Sequence, residues 1–219
     1  VTALGCWAVG VSRVLSFPEA KKPKVSSRAH SFRFLVAWFP AFALERYGYG
    51  NDEVVVLCAF ERNALRIVSA TSAAKQVGLR SGMTASEARA MCPQVCLEMW
   101  SESEELGDWT ELIGAFRLFS DRLQSSQLQT LTIEISQTSH LFGGESALMK
   151  QVREHAESMG HQCRVAIADD PMAATIWARS GEAGILPQGQ SALYLASLPF
   201  TALQPSESLA RSIHGLDIT

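Results

Sequence analysis

The chain has 219 residues, 47% of them hydrophobic and 19% charged, with a net charge of −3. That length can bury a core in one or two domains, and the slightly acidic balance excludes a uniformly cationic nucleic-acid binder. Charge is unevenly spread: Val1 to Arg46 holds seven Lys or Arg against Glu19 and Glu45, whereas Glu98 to Glu111 holds six acids and no base.

The first eighteen residues are apolar but lack the basic start and small-residue cleavage site of a secretory signal before Lys21-Lys22-Pro23-Lys24. Gly5, Gly10 and Arg13 interrupt them too often for a bilayer span. Residues 1–30 are expected to be a disordered extension outside the fold, and the protein is expected to be cytoplasmic, away from membranes. Cys6, Cys58, Cys92, Cys96 and Cys163 form an odd set without paired C-x-x-C motifs, which argues against a disulfide framework or structural zinc. Cys92-Pro-Gln-Val-Cys96 has neither zinc-knuckle nor redox spacing, so both thiols are expected buried or half-buried.

Phe32 to Phe39 reads as a strand stopped by Pro40, and Ala41 to Tyr47 as helical before the Gly48-Tyr49-Gly50-Asn51 turn. Glu53 to Phe60 and Leu65 to Ser69 predict a hairpin with the polar tip Glu61-Arg62-Asn63-Ala64. Two short helices follow: Thr71 to Val77, ended by Gly78, and Ala85 to Met91, opened by the capping box Thr84-x-x-Glu87 and stopped by Pro93. Beyond an acidic link, Trp109, Leu112, Ile113, Phe116, Phe119 and Leu123 recur at helical spacing and predict one core-facing helix from Asp108 to about Gln127.

Leu131, Ile133 and Ile135 then alternate with Thr130, Thr132, Glu134 and Ser136. The pattern predicts a strand with one face on the core and the other toward solvent or a ligand. That second face carries one carboxylate, Glu134, and two divalent ions would need several converging ones. Ser139-His140-Leu141-Phe142-Gly143-Gly144-Glu145 leads into a helix over Ser146 to Met159 closed by Gly160. Gly143-Gly144 reads as a tight turn with positive φ, since Glu145 would repel a cradled phosphate. Ser139-His140 has no G-x-S-x-G elbow to support a hydrolase.

Cys163 to Ala168 predicts a strand, and Pro171 to Arg179 a helix closed by Gly181, with Asp169-Asp170 as its N-cap. His155 and His161 bracket a helix end as satisfied surface or cap histidines. Arg62, Arg66, Lys75, Arg80 and Arg89 either touch a nucleic-acid backbone or are simply solvated. This order predicts an α+β fold: an antiparallel sheet with helices on one face and a small module inserted near its start.

The layout, with Phe34 to Glu45, Val77-Gly78-Leu79-Arg80-Ser81-Gly82-Met83, His140 to Glu145 and Ala166-Ile167-Ala168-Asp169-Asp170-Pro171, resembles the Y-family (UmuC/DinB-type) translesion DNA polymerases, most closely their ImuB-like branch. The resemblance runs from about Phe32 to the C-terminus. It implies a ferredoxin-like palm over 31–48 and 100–186, a fingers-like insertion over 49–99, and the truncated start of a helix-hairpin-helix thumb over 187–219. Counted back from Glu45, the family's first two metal-binding acids fall on Val36 and Trp38. Counted back from Glu134, its acidic pair falls on Gln129 and Thr130. The fingers Tyr and Arg that hold the triphosphate correspond to Ser72 and Lys75, and later palm lysines to Met172 and Ile176.

The resemblance therefore implies no polymerase activity, no metal and no cofactor. It implies an adaptor in DNA-damage-induced bacterial mutagenesis (the SOS response) that brings a sliding clamp, a RecA-like accessory protein and an error-prone C-family polymerase to a lesion. Weak DNA contact is expected through Lys75, Arg80 and Arg89. No Gln-x-x-Leu-Phe clamp peptide is recognisable. The alternatives are an active polymerase whose acids are Asp52, Glu53, Asp169 or Asp170, a truncated remnant, or an interaction module unrelated to DNA.

Overall fold

The computed structural model describes residues 32–61, 63–181 and 184–199. The expectations for residues 1–30, and for 200–219 of the thumb region, lie outside the described residues.

β1 (Phe34–Trp38) ends before Pro40, and a single helical turn, α1 (Phe42–Glu45), follows it. β2 (Val55–Glu61) and β3 (Ala64–Ala70) form the expected hairpin, with Asn63 at a φ of 66° at its tip, a conformation Asn tolerates because its side chain can bond locally. The Thr71 hydroxyl accepts from the Ala74 amide to cap α2 (Ser72–Gln76), and Thr84 and Glu87 form both halves of the capping box that opens α3 (Ala85–Met91). The sequence reading has no counterpart for β4 (Cys96–Met99), which pairs parallel to β2 and completes a three-stranded sheet of order β3-β2-β4. It is a short edge strand without apolar alternation, so periodicity could not reveal it. Its first residue, Cys96, is exposed and corrects the expectation of a covered thiol, whereas Cys92 is half-buried.

α4 (Glu102–Ala115) starts earlier than expected, capped by Ser101, with Glu102, Glu104 and Glu105 in its first turn, where carboxylates suit the helix dipole. It also stops earlier. One 3-10 turn, Phe116–Leu118, leads to β5 (Leu123–Gln127) where the helix was expected to continue. The Ser120 hydroxyl accepts from the Arg122 amide and donates to the Glu134 carbonyl, a local side-chain bond that competes with helix. Leu123 still reaches the core, but by pairing with Ile133 of β6 (Thr130–Glu134). α5 (Glu145–Ser158), β7 (Arg164–Ala168) and α6 (Pro171–Ser180) follow the sequence reading closely, and β8 (Gly184–Ile185) and α7 (Ser191–Leu195) end the described chain.

The large sheet has the order β5-β6-β1-β7-β8, antiparallel except for the β7/β8 pair. Its β1-α4-β5-β6-α5-β7 portion has the ferredoxin-like arrangement. Leu35, Ala37, Leu131, Ile133, Val165 and Ile167 on one face pack against Trp109, Leu112 and Phe116 from the α4 segment and Leu148 and Val152 of α5. The other face is covered too. Val36, Ala166 and Ala168 meet Ala173, Ala174, Trp177 and Ala178 of α6, and the three alanines let this helix lie close to the strands. The expectation of helices on one face therefore holds for the ferredoxin-like portion and not for α6. With α6 present, Thr130 and Thr132 are only 3% and 9% exposed, so the polar face of β6 is closed there.

Candidate functional site

Antiparallel register places Trp38 opposite Thr130 on one side and Arg164 on the other, and Val36 opposite Thr132 and Ala166. Directly opposed residues share a sheet face, so Val36, Trp38, Thr130 and Arg164 all lie on the α6 side. There the Arg164 and Arg179 guanidinium carbons stand 5.5 and 6.0 Å from the centre of the Trp38 ring, within cation–π range. Arg179 Nη2 also donates to Thr130 Oγ1 at 2.9 Å. Burial lowers the Arg179 pKa, yet a guanidinium stays protonated at neutral pH. Val36 is fully buried. Gln129, the fourth of the positions matched to family acids, does not join them. It sits in the β5–β6 turn at a φ of 67°, its carbonyl accepts from the Phe39 amide, and its side-chain amide reaches buried Glu105 at 3.5 Å.

Beside this end of the sheet lies a cleft of about 260 Å³ lined by Pro40, Ala41, Asn51, Ser72, Lys75 and Arg164, among others, with no carboxylate in its wall. Ser72 and Lys75, the degenerate positions matched to the family's triphosphate-holding Tyr and Arg, both line this cavity. Arg164 was missed, because only register brings it there. Arg80 and Arg89 are exposed on the small module but do not line the cleft, so the predicted DNA-contact trio is not gathered into one site. Arg66 bonds the Gly82 carbonyl at 2.7 Å.

Glu134, Asp169, Asp170, Glu145 and Glu45 lie elsewhere and are engaged. Glu134 pairs with Phe34 at the opposite end of β1, about 13 Å along the strand from Thr130 at ~3.3 Å per residue. Both its oxygens accept from Arg122 Nη1 at 3.1 Å, which raises the Arg122 pKa. Asp170 caps α6 by accepting from the Met172 and Ala173 amides, as expected. Asp169 accepts from Arg33 Nη1 at 2.9 Å and from the Gly189 amide. Glu145 takes both remaining arms of Arg33, at 2.6 and 2.7 Å, while Arg33 Nη2 also donates to the Leu186 carbonyl. The Glu145 hydrogen bonds dominate the raised pKa of Arg33, which is only 5% exposed.

Gly143 and Gly144, at φ of 86° and 98°, are the tight turn expected, and the turn delivers Glu145 to Arg33. Glu45 accepts from the Gln162 amide and pairs with His161 at 3.3 Å. His155 is half-buried among Phe116 and Phe119, with its Nε2 against the Ala115 carbonyl. Both histidines are satisfied, by core contacts as much as by caps. Asp52 and Glu53 are exposed ahead of β2. Among the described residues no group of three or more His, Cys, Asp or Glu converges as a metal ligand set.

The model of the impB/mucB/samB family matches residues 37–179, from the end of β1 to the end of α6. The chain belongs to this family. Two curated relatives, both protein ImuB, from two strains of Caulobacter vibrioides, are 30% identical over 129 residues, 58% of this chain and 28% of their own length. The chain therefore spans under a third of the curated relatives it matches. Among solved structures, DinB from Sulfolobus solfataricus superposes with a TM-score of 0.66 at 14% identity, and the post-insertion binary complex of Dbh DNA polymerase with 0.69 at 15%; each match covers 85% of this chain and 58% of that chain. These likenesses establish a Y-family polymerase-like fold. Among the described residues no helix is long and apolar enough to cross a membrane.

Proposed function

We propose that this family member is a non-catalytic Y-family-like protein that serves as a cytoplasmic adaptor in DNA-damage-induced translesion synthesis. One observation carries the reading: the end of the sheet where metal-binding acids would stand holds Trp38, Thr130, Arg164 and Arg179. Nucleotidyl transfer depends on positioning and on divalent ions that neutralise developing charge, and two guanidinium groups oppose the binding of such ions. Two of the four alternative acids are already used, Asp169 by Arg33 and Asp170 as a helix cap. The separate three-stranded sheet over residues 55–99 supports a division into palm (31–48 and 100–186), fingers (49–99) and thumb (from 187).

Similarity to ImuB supports partners of the kind expected from the sequence: a sliding clamp, a RecA-like accessory protein, an error-prone C-family polymerase and, weakly, DNA. Primer extension by the full-length protein with Mg²⁺ or Mn²⁺ tests the reading. No template-directed incorporation is expected. Robust incorporation that disappears in Glu134→Gln would overturn the proposal.

A further inference from the structure

We infer that the outward face of α6 and α7 is the docking surface for the chain's own residues 207–216, with Leu209, Ile213 and Leu216 packing on Met172, Ile176 and Leu193. The inference goes beyond the function proposed above and does not depend on it.

α6 buries Ala173, Ala174, Trp177 and Ala178 against the sheet. A helix covered on that side alone carries polar and charged residues on the other. Its outward side instead has Met172 and, one turn on, Ile176, and Arg179 is its one charged residue. Met172 is 68% exposed. α7 departs further from a solvated helix: it reads Ser-Ala-Leu-Tyr-Leu, without a charge, yet none of its residues is buried and Leu193 is 70% exposed. The two helices lie side by side, for the Trp177 and Tyr194 rings meet edge to face at 5.7 Å and the Gly189 amide donates to Asp169 just ahead of α6. Apolar area of this kind gains from leaving water and marks interaction surfaces.

The place where the described chain stops points to the occupant. Leu198 still packs on the α6 cluster, and Pro199 is the last described residue. In the sequence beyond it, Leu209, Ile213 and Leu216 stand at i, i+4 and i+7, the spacing of one helix face, and Glu207, Arg211 and His214 fall on the opposite side of that spacing. The pattern matches an apolar surface below and water above. From Leu198 to Leu209 the chain can extend about 36 Å at ~3.3 Å per residue. α6, with ten residues, is only about 15 Å long, so the segment can reach every part of the face. A short tether also holds it at an effective concentration in about the millimolar range, which favours it over a free partner of the same apolar chemistry.

The test is oxidation of the full-length protein by hydrogen peroxide, with each methionine followed by peptide mass spectrometry, since thioether oxidation follows exposure. On an open face Met172 would react at least as fast as Met91 and Met99, which are each 51% exposed. With the segment docked, Met172 is expected to react severalfold more slowly than both, and equally so on dilution of the protein. The double variant Leu209→Asp/Ile213→Asp should raise the Met172 rate to theirs while their own rates and the circular dichroism stay unchanged. The milder pair Leu209→Ala/Ile213→Ala should give part of that rise, and decides if the aspartates disturb the fold. Met172 reacting as fast as Met91 and Met99 in the unaltered protein would overturn the inference, as would protection that both double variants leave intact. Protection lost on dilution would overturn it too, by assigning the face to a second copy of the chain.

Discussion

The two ends of β1 have opposite electrostatics. At the Phe34 end, Glu134, Glu145 and Asp169 gather around Arg33 and Arg122. At the Trp38 end, Arg164 and Arg179 stand over an aromatic ring beside a cleft with no acid. In the contrast, carboxylates paired with arginine hold structure at one end of the sheet, while two guanidinium groups stand at the other. A buried arginine with two carboxylates and a carbonyl joins the start of β1, the start of α5, the β7–α6 turn and the segment after β8. The Trp38 end is held differently, by the ring contacts of Arg164 and Arg179 and the Arg179 bond to Thr130.

Arg33→Ala should expose this contrast most strongly. It strands Glu145 and Asp169 beside the space left by a 5%-exposed side chain, and breaking such a pair typically costs about 3–5 kcal/mol. Urea unfolding should show a lower midpoint at unchanged m-value, and Arg33→Lys should recover only part, because an ammonium cannot span Glu145 in two-pronged fashion.

At the other end, Val36→Asp would restore a carboxylate to one of the matched positions. Val36 is fully covered by the alanine-rich face of α6, so the new group would be buried without a partner and cost roughly 2–3 kcal/mol. Thermal unfolding should show that loss, with no gain of primer extension. A gain would mean that α6 yields readily and the site is recoverable.

The third effect is smaller and depends on pH. Burial pushes the Cys163 thiol, next to Arg164, up from its ordinary value near 9 to about 12. A folded-state pKa above the unfolded one gives stability that is complete below about pH 9 and is lost as pH rises toward 12. Stability measured from pH 8 upward should fall in that window, and less steeply in Cys163→Ala. At pH 8, iodoacetamide should modify exposed Cys96 before Cys163 or buried Cys58.

Where one local signal dominates, the sequence was readable. The Thr84 capping box, the Asp170-Pro171 start of α6 and the Gly160 and Gly181 stops all sit where expected. β5 was hidden because Leu123 continues the helical spacing of α4, and the Ser120 bonds that end the helix involve a partner in β6. The alternation in β6 assigned its faces correctly, yet could not show that α6 covers Thr130 and Thr132. Val36, Trp38 and Thr130 were legible as positions without acids. The guanidinium pair beside them was not, since Arg164 and Arg179 meet Trp38 only through strand register and a helix return. Arg33 lies 112 residues from Glu145 and 136 from Asp169, a separation at which no periodicity operates.

The central claim is that the Trp38 end of the sheet, with its two guanidinium groups, does not hold divalent cations. Titration of Mn²⁺ into the full-length protein, followed by electron paramagnetic resonance with and without a nucleoside triphosphate, tests it most directly. The account predicts no protein-bound Mn²⁺ at micromolar concentrations, with or without the triphosphate. One or two tightly bound ions released by Glu134→Gln, Asp169→Asn or Asp170→Asn would contradict it.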